Sequence, residues 1–149
     1  MAGQQIDLHV GEWLVSRIES ATDATHLGDI QGRVSGAHRD IIPPEVDLPA
    51  VRFHLQAPKD VRGAGDASAR IMTQLDWLVV VVREGRGLAP LVPIADALDL
   101  RLHKTNGETA SVWVGQCIRL EPFHLLEVGE SGVHYRHAGG LYRTIATVK

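Results

Sequence analysis

The chain has 149 residues, 15 basic and 18 acidic side chains and a formal net charge of -3; this fits one domain, 1–149, and is not the cation-rich balance that a general nucleic-acid binder needs. Hydrophobic residues make up 44%, enough for a single core, and the lone Cys117 excludes an intrachain disulfide. The polar start, Met1 to Gln5, lacks a signal-peptide core, and no apolar run approaches the roughly 20 residues that span a bilayer, so the expectation is a soluble protein made in cytoplasm.

Ile6, Val10, Trp13, Leu14, Ile18 and Ala21 recur at helical spacing and predict a helix over Ile6–Ala21 that packs on a sheet. Its polar face is not rich in cations, which argues against a membrane-surface role. A long connector follows, 22–49, with Gly28, Gly32, Gly36, Pro43, Pro44 and Pro49 along it. Loops of this length in a small domain are functional or mobile, so it is a candidate contact arm, with His26, Asp29 and Arg33 as its polar contacts. Val34 is assigned to a short strand within it.

Val51, Phe53 and Leu55 alternate with Arg52, His54 and Gln56, which predicts a short strand bounded by Pro49 and Pro58. The stretch 57–70 is rich in small and charged residues and reads as a second contact loop with its tip near Gly63 and Gly65. Lys59, Arg62, Asp66 and Arg70 are its candidate interface residues.

The run Ile71 to Arg83 is the centre of the chain. It begins with alternation and ends in four valines, Val79 to Val82. Alternation suits a strand with one wet face, and a continuous valine run suits a strand covered on both. After a turn at Glu84–Gly87, Leu88, Leu91, Ile94, Ala95, Leu98 and Leu102 trace a second amphipathic helix that would cover the valines. Pro90 and Pro93 fall at its start, where a missing amide donor costs least. Asp96 and Asp99 are expected to face away, and Asn106-Gly107 to close the helix. Ser111–Glu121 is the next strand, with Val112, Val114, Ile118 and Leu120 on one face and Trp113, Cys117 and Arg119 on the other. A hairpin turn at Gly129–Gly132 leads to a last strand over Val133–Val148. Its Gly139-Gly140 pair marks a bulge or a close backbone approach. The predicted fold class is α+β: a two-layer sandwich, a mainly antiparallel sheet with both helices on one face, in the order α-β-β-α-β-β.

Chemistry finds little support in the pattern. Arg62-Gly63-Ala64-Gly65 lacks the Lys-Ser/Thr and the following helix of a phosphate loop. His134 and His137 are three apart, on opposite faces of a strand, and Cys117 has no cysteine partner at zinc spacing. Cys117 sits mid-strand among apolar neighbours, as a packed thiol does and a nucleophile does not. No Gly-x-Ser-x-Gly elbow or Ser-x-x-Lys pair is present. No catalytic residue, metal or cofactor is assigned.

A set of stretches carries a resemblance. These are Leu48-Pro49-Ala50-Val51-Arg52-Phe53, then Arg70-Ile71-Met72-Thr73 and the valine strand, then Ile94-Ala95-Asp96-Ala97-Leu98. The ending adds Arg119-Leu120-Glu121-Pro122-Phe123 and Tyr135-Arg136-His137-Ala138-Gly139-Gly140-Leu141-Tyr142-Arg143. From Pro49 to Lys149 the chain resembles the tail terminator proteins of long-tailed (siphovirus) bacteriophages. The resemblance implies a virion protein of the tail and neck, without cofactor or catalysis. Such a protein forms a homohexameric ring, caps the tail tube, ends tube polymerisation and meets the head–tail connector. DNA would pass through its lumen unread. The alternatives are another neck or head–tail connector protein, or, from a different class, a small ligand- or nucleotide-binding enzyme domain using the Gly63–Gly65 loop.

Overall fold

The computed structural model describes residues 3–19, 34–61 and 72–149, with side chains for 6–19, 34–56 and 72–149. The elements are α1 (Gly3–Glu19), β1 (Ala37–Arg39), β2 (Ala50–Val61), β3 (Met72–Glu84), α2 (Val92–Leu102), β4 (Thr105–Glu108), β5 (Val112–Val128) and β6 (His134–Val148). The class is α+β. The order carries two strands more than the sequence predicts, because β1 and β4 are short and polar, with no apolar alternation to reveal them.

One six-stranded sheet holds everything, in the order β1-β2-β3-β6-β5-β4. β1 runs parallel to β2, and every other pair is antiparallel, so the sheet is mixed. β3 and β6 form its centre, in unbroken register from Met72 opposite Thr147 to Glu84 opposite Tyr135.

β3 behaves as its sequence dictates. Thr73, Leu75 and Trp77 are buried while Met72 is exposed and Gln74 and Asp76 are half-buried, and from Val79 to Val82 both faces are shut. Val79 and Val81 join Val51, Phe53, Leu75 and Trp77 in the core beneath the helices. Onto that core α1 places Ile6, Val10, Trp13, Leu14 and Ile18, and α2 places Ile94, Ala97, Leu98 and Leu102. Each fully buried aliphatic side chain contributes roughly 1.5–3 kcal/mol. The helices therefore shelter only alternate valines. Val82 points the other way, into a cavity walled by Ile42, Pro44 and Val46, and Val80 lies on that face between its ladder neighbours Arg52 and Gly139.

Several expectations are corrected. Val34 is outside any strand, and β1 begins at Ala37. Pro58 does not end β2; the strand bulges between Leu55 and Ala57 and runs on, with Pro58 opposite Leu75. Asn106 and Gly107 do not close the helix: α2 ends at Leu102, Lys104 takes φ 60°, and the Asn-Gly pair lies in β4. Gly107 is needed there because a β-carbon would collide with the Trp13 indole. β5 does not stop at Glu121. Its bulge between Val114 and Gln116 flips the alternation, so Cys117 joins Val112 and Val114 in the core and Ile118 and Leu120 leave it.

Polar side chains tie the layers. Tyr142 donates its hydroxyl to Asp99 at 2.8 Å, and Arg119 pairs with the same carboxylate at 3.4 Å, so Asp99 faces β5 and β6 and not solvent. Arg101, fully buried on the core side of α2, donates to the carbonyl oxygens of Ile18 and Arg17, and Arg17 returns a bond to the Arg101 carbonyl at 2.8 Å. This reciprocal clamp satisfies two of the last carbonyls of α1, groups that a helix end leaves without partners. Within the sheet, Trp77 donates to Thr144 Oγ1, which donates to the Leu75 carbonyl.

Candidate assembly surfaces

The end strands cover the sheet only in part. β1 lies against Val51–Phe53, and β4 lies against Trp113–Cys117. Among the described residues, β2 from His54 to Val61 and β5 from Ile118 to Val128 therefore have no strand on their outer sides. Because β2 and β5 run in opposite directions, these two open stretches lie at diagonal corners of the sheet. The Arg119 amide, at the start of the open part of β5, still finds a partner in His103 Nδ1 at 3.0 Å.

Both open stretches carry the same pair of features. β2 bulges at Leu55/Ala57 and then has Pro58; β5 bulges at Arg119/Glu121 and then has Pro122. A bulge twists the edge away and a proline lacks the amide donor, so each blunts indiscriminate strand addition.

The open half of β5 is also apolar. Leu120, Leu125 and Leu126 are 41–43% exposed and Val128 is 60% exposed. Opposite β6, Leu126 and Val128 take the side of the sheet that carries the helices, and Leu125 takes the other. Neither helix reaches far enough to cover this end. An apolar ribbon exposed on two faces and along one edge has the character of a contact surface.

At the other side of the sheet a groove of about 510 Å³ opens between α1 and β1, lined by Leu8, Gly11, Glu12, Val15, Ser16, Arg39 and Phe53. Leu8 is 54% exposed at its rim. Arg39 is fixed: its guanidinium pairs with Asp7 at 2.7 Å and lies over the Trp77 ring, 5.4 Å from the centroid. The groove thus presents apolar surface and an already neutralised cation, with the Ser16 hydroxyl and the exposed Glu12 carboxylate also along it.

The cavity under Val82 has a volume of about 440 Å³ and is lined on one side by the segment 41–48. Its polar wall is His137, Glu127, Arg52 and Tyr135. His137 Nε2 meets Glu127 at 3.1 Å, and its Nδ1 is buried without a partner. Burial holds the imidazole below its ordinary pKa, the Arg52 guanidinium adds to that, and Glu127 pulls the other way. Burial, with Asp99 nearby, pushes the Cys117 thiol up to about 12, so it stays protonated and inert. Among the described residues no three His, Cys, Asp or Glu side chains come together, and no helix is long and apolar enough to cross a membrane.

The interface residues expected from the sequence fall almost wholly outside the described residues. Lys59 lies in β2 with its side chain outside the described ones, and Arg62, Asp66, Arg70, His26, Asp29 and Arg33 are outside the described residues. The β5 ribbon and the α1–β1 groove were missed. The available signal was Leu120, Leu125, Leu126 and Val128, apolar residues of both parities beside a proline and a Gly-rich turn.

Comparison with known proteins places the fold. No family model and no curated protein matches this chain. Among solved structures, a chain of the virion of a native gene transfer agent particle is similar, with a TM-score of 0.51 and 13% identity over 95% of this chain and 94% of that one.

Proposed function

We propose that this chain is a structural protein of a phage-like virion, acting as a tail terminator. In this reading copies join head to tail into a ring of six. The ring sits on the finished tail tube, stops further subunit addition and offers its far side to the head–tail connector, while DNA passes through without being read. The observation that carries the reading is the likeness to a virion chain along nearly the whole length of both. The sequence resemblance over Pro49 to Lys149 narrows it to the terminator, and the unsatisfied surfaces at opposite sides of one sheet suit a protein that works by self-association.

The test is tail length. Particles assembled without this protein should carry tails of uncontrolled, excessive length and few joined heads, and supplying it should restore both. Headless tails of normal length would instead mark a neck or connector protein. The stretch 59–70 is the proposed contact with a neighbouring copy or the tube end. Deleting Gly63 to Asp66 should lengthen tails while leaving the purified protein's thermal midpoint unchanged; normal, head-competent tails would remove the loop from the contact.

A further inference from the structure

We infer that the apolar open half of β5 in one copy seats in the α1–β1 groove of a second copy, as the repeating contact of a head-to-tail assembly; this rests on the ring reading above. The two surfaces lie at opposite sides of the sheet, β1 at one end of the strand order and β5 with β4 at the other, so they cannot meet within one chain. A contact that repeats around a ring joins two different patches of the same protein, and these are two such patches. One is a ribbon with Leu126 and Val128 exposed; the other is a groove with Leu8 at its rim and Val15 and Phe53 inside.

Glu12 also lines the groove, but its side chain is 66% exposed and keeps its carboxylate in water at the rim. Arg39 is already held by Asp7 and stacked on Trp77, and Glu127 of the ribbon is turned towards His137 on the other side of the strand. Seating the ribbon strands no unpaired charge at these positions, which is the expensive outcome at an interface. The bulge and proline at each open strand make backbone addition a poor alternative, so the contact is made by side chains entering a groove. Its size sets its strength. The ribbon supplies 11 residues, Ile118 to Val128, against the roughly 20–30 residues a side of a standard stable interface. One contact alone is weak, and a closed ring, in which every copy uses both surfaces, is favoured over a free pair.

Two exposed positions report on this contact, Leu126 on the ribbon and Leu8 on the groove. Full-length Leu126→Cys and Leu8→Cys are mixed at high concentration and treated with a short bis-maleimide; the native Cys117 is buried and does not compete. The expected result is a mixed dimer severalfold in excess of either homodimer, and a ladder of multimers from the double variant. Leu8→Cys mixed with Leu100→Cys, an exposed position on α2, gives the random background. A mixed yield equal to that background, or a dominant Leu126→Cys homodimer, overturns the inference. The tail assay keeps the two claims apart. If Leu8→Asp and Leu126→Asp still give normal tails while loss of the protein gives overlong ones, the contact is wrong and the terminator reading stands. If tails are normal without the protein, the terminator reading falls whatever the cross-linking shows.

Discussion

Replacing Gly139 by alanine should be among the most damaging single-methyl changes available in this protein. Gly139 lies in β6 opposite Val80 of β3 and Phe123 of β5, at the centre of the sheet. A β-carbon there would overlap the Val79 carbonyl oxygen outright and come within 2.8 Å of Val80 Cα and 2.9 Å of Val79 C. All three are backbone atoms of the central strand, so no rotamer change relieves them. Moving the 2.8 Å contact alone to the 3.4 Å of ordinary contact requires β3 and β6 to part by about 0.6 Å, and the oxygen demands more. That separation takes ladder bonds of ordinary length past the limit of a useful hydrogen bond. Two buried donor–acceptor pairs left poorly satisfied, at about 1–3 kcal/mol each, give a loss of about 2–6 kcal/mol. A small domain has only about 5–15 kcal/mol in all. Gly140→Ala is the internal control. Its β-carbon meets mainly the flexible Arg119 side chain, at 2.9 and 3.1 Å, and the Glu121 oxygen at 3.0 Å, which predicts a loss of about 1 kcal/mol. Urea unfolding followed by tryptophan fluorescence, with Trp77 fully buried as a reporter, measures both. A Gly139→Ala midpoint equal to wild type, or one above that of Gly140→Ala, would refute the argument.

Other outcomes follow from the same structure. Leu98→Asp places a carboxylate at a fully buried position of α2 and should cost about 4 kcal/mol or more, read as a collapse of the thermal midpoint; an unchanged midpoint would mean that this face of α2 is not buried. Arg101→Leu leaves the Ile18 and Arg17 carbonyls without their donor and should destabilise by about 2–4 kcal/mol, loosening α1 first in hydrogen exchange. His137 has a folded pKa below its unfolded one, so the unfolded chain takes the proton first as pH falls. Its contribution is complete above the unfolded value of about 6.5 and declines as pH drops through it. His137→Gln should therefore flatten the stability profile on the acid side of neutrality; an unchanged slope in urea titrations from neutral to mildly acidic pH would count against this.

Much of the framework was legible because hydrophobic period speaks directly to structure. The stripe Ile6, Val10, Trp13, Leu14 and Ile18 gave a helix, and the valine run gave a doubly covered strand. Gly139-Gly140 gave a close approach, as the Val79 and Val80 backbone shows. What failed was decided by non-local pairing. β1 and β4 exist only because β2 and β5 offer them a ladder, and nothing in Ala-His-Arg or Thr-Asn-Gly-Glu declares a strand. The bulge at Val114/Gln116 inverts the faces of β5, and a period-2 reading cannot see one inserted residue. Arg101 falls on the apolar stripe of α2, where a charge argues against burial until the carbonyls of α1 are known to end beside it. The candidate surfaces were the least legible, since an apolar strand residue reads as core until the fold shows it exposed.

The paired bulge and proline in β2 and β5 bear on what happens before any assembly exists. Newly made copies crowd together with, among the described residues, open ladder stretches in β2 and β5, and such stretches template cross-β stacking. With an amide missing from each edge and the pleat wrung out of plane beside it, a stray strand can register for only a few rungs before its hydrogen bonding fails. The chain is thereby steered away from fibre growth while its exposed leucines stay free for the docking proposed above, by chemistry written into four positions, Leu55, Pro58, Arg119 and Pro122.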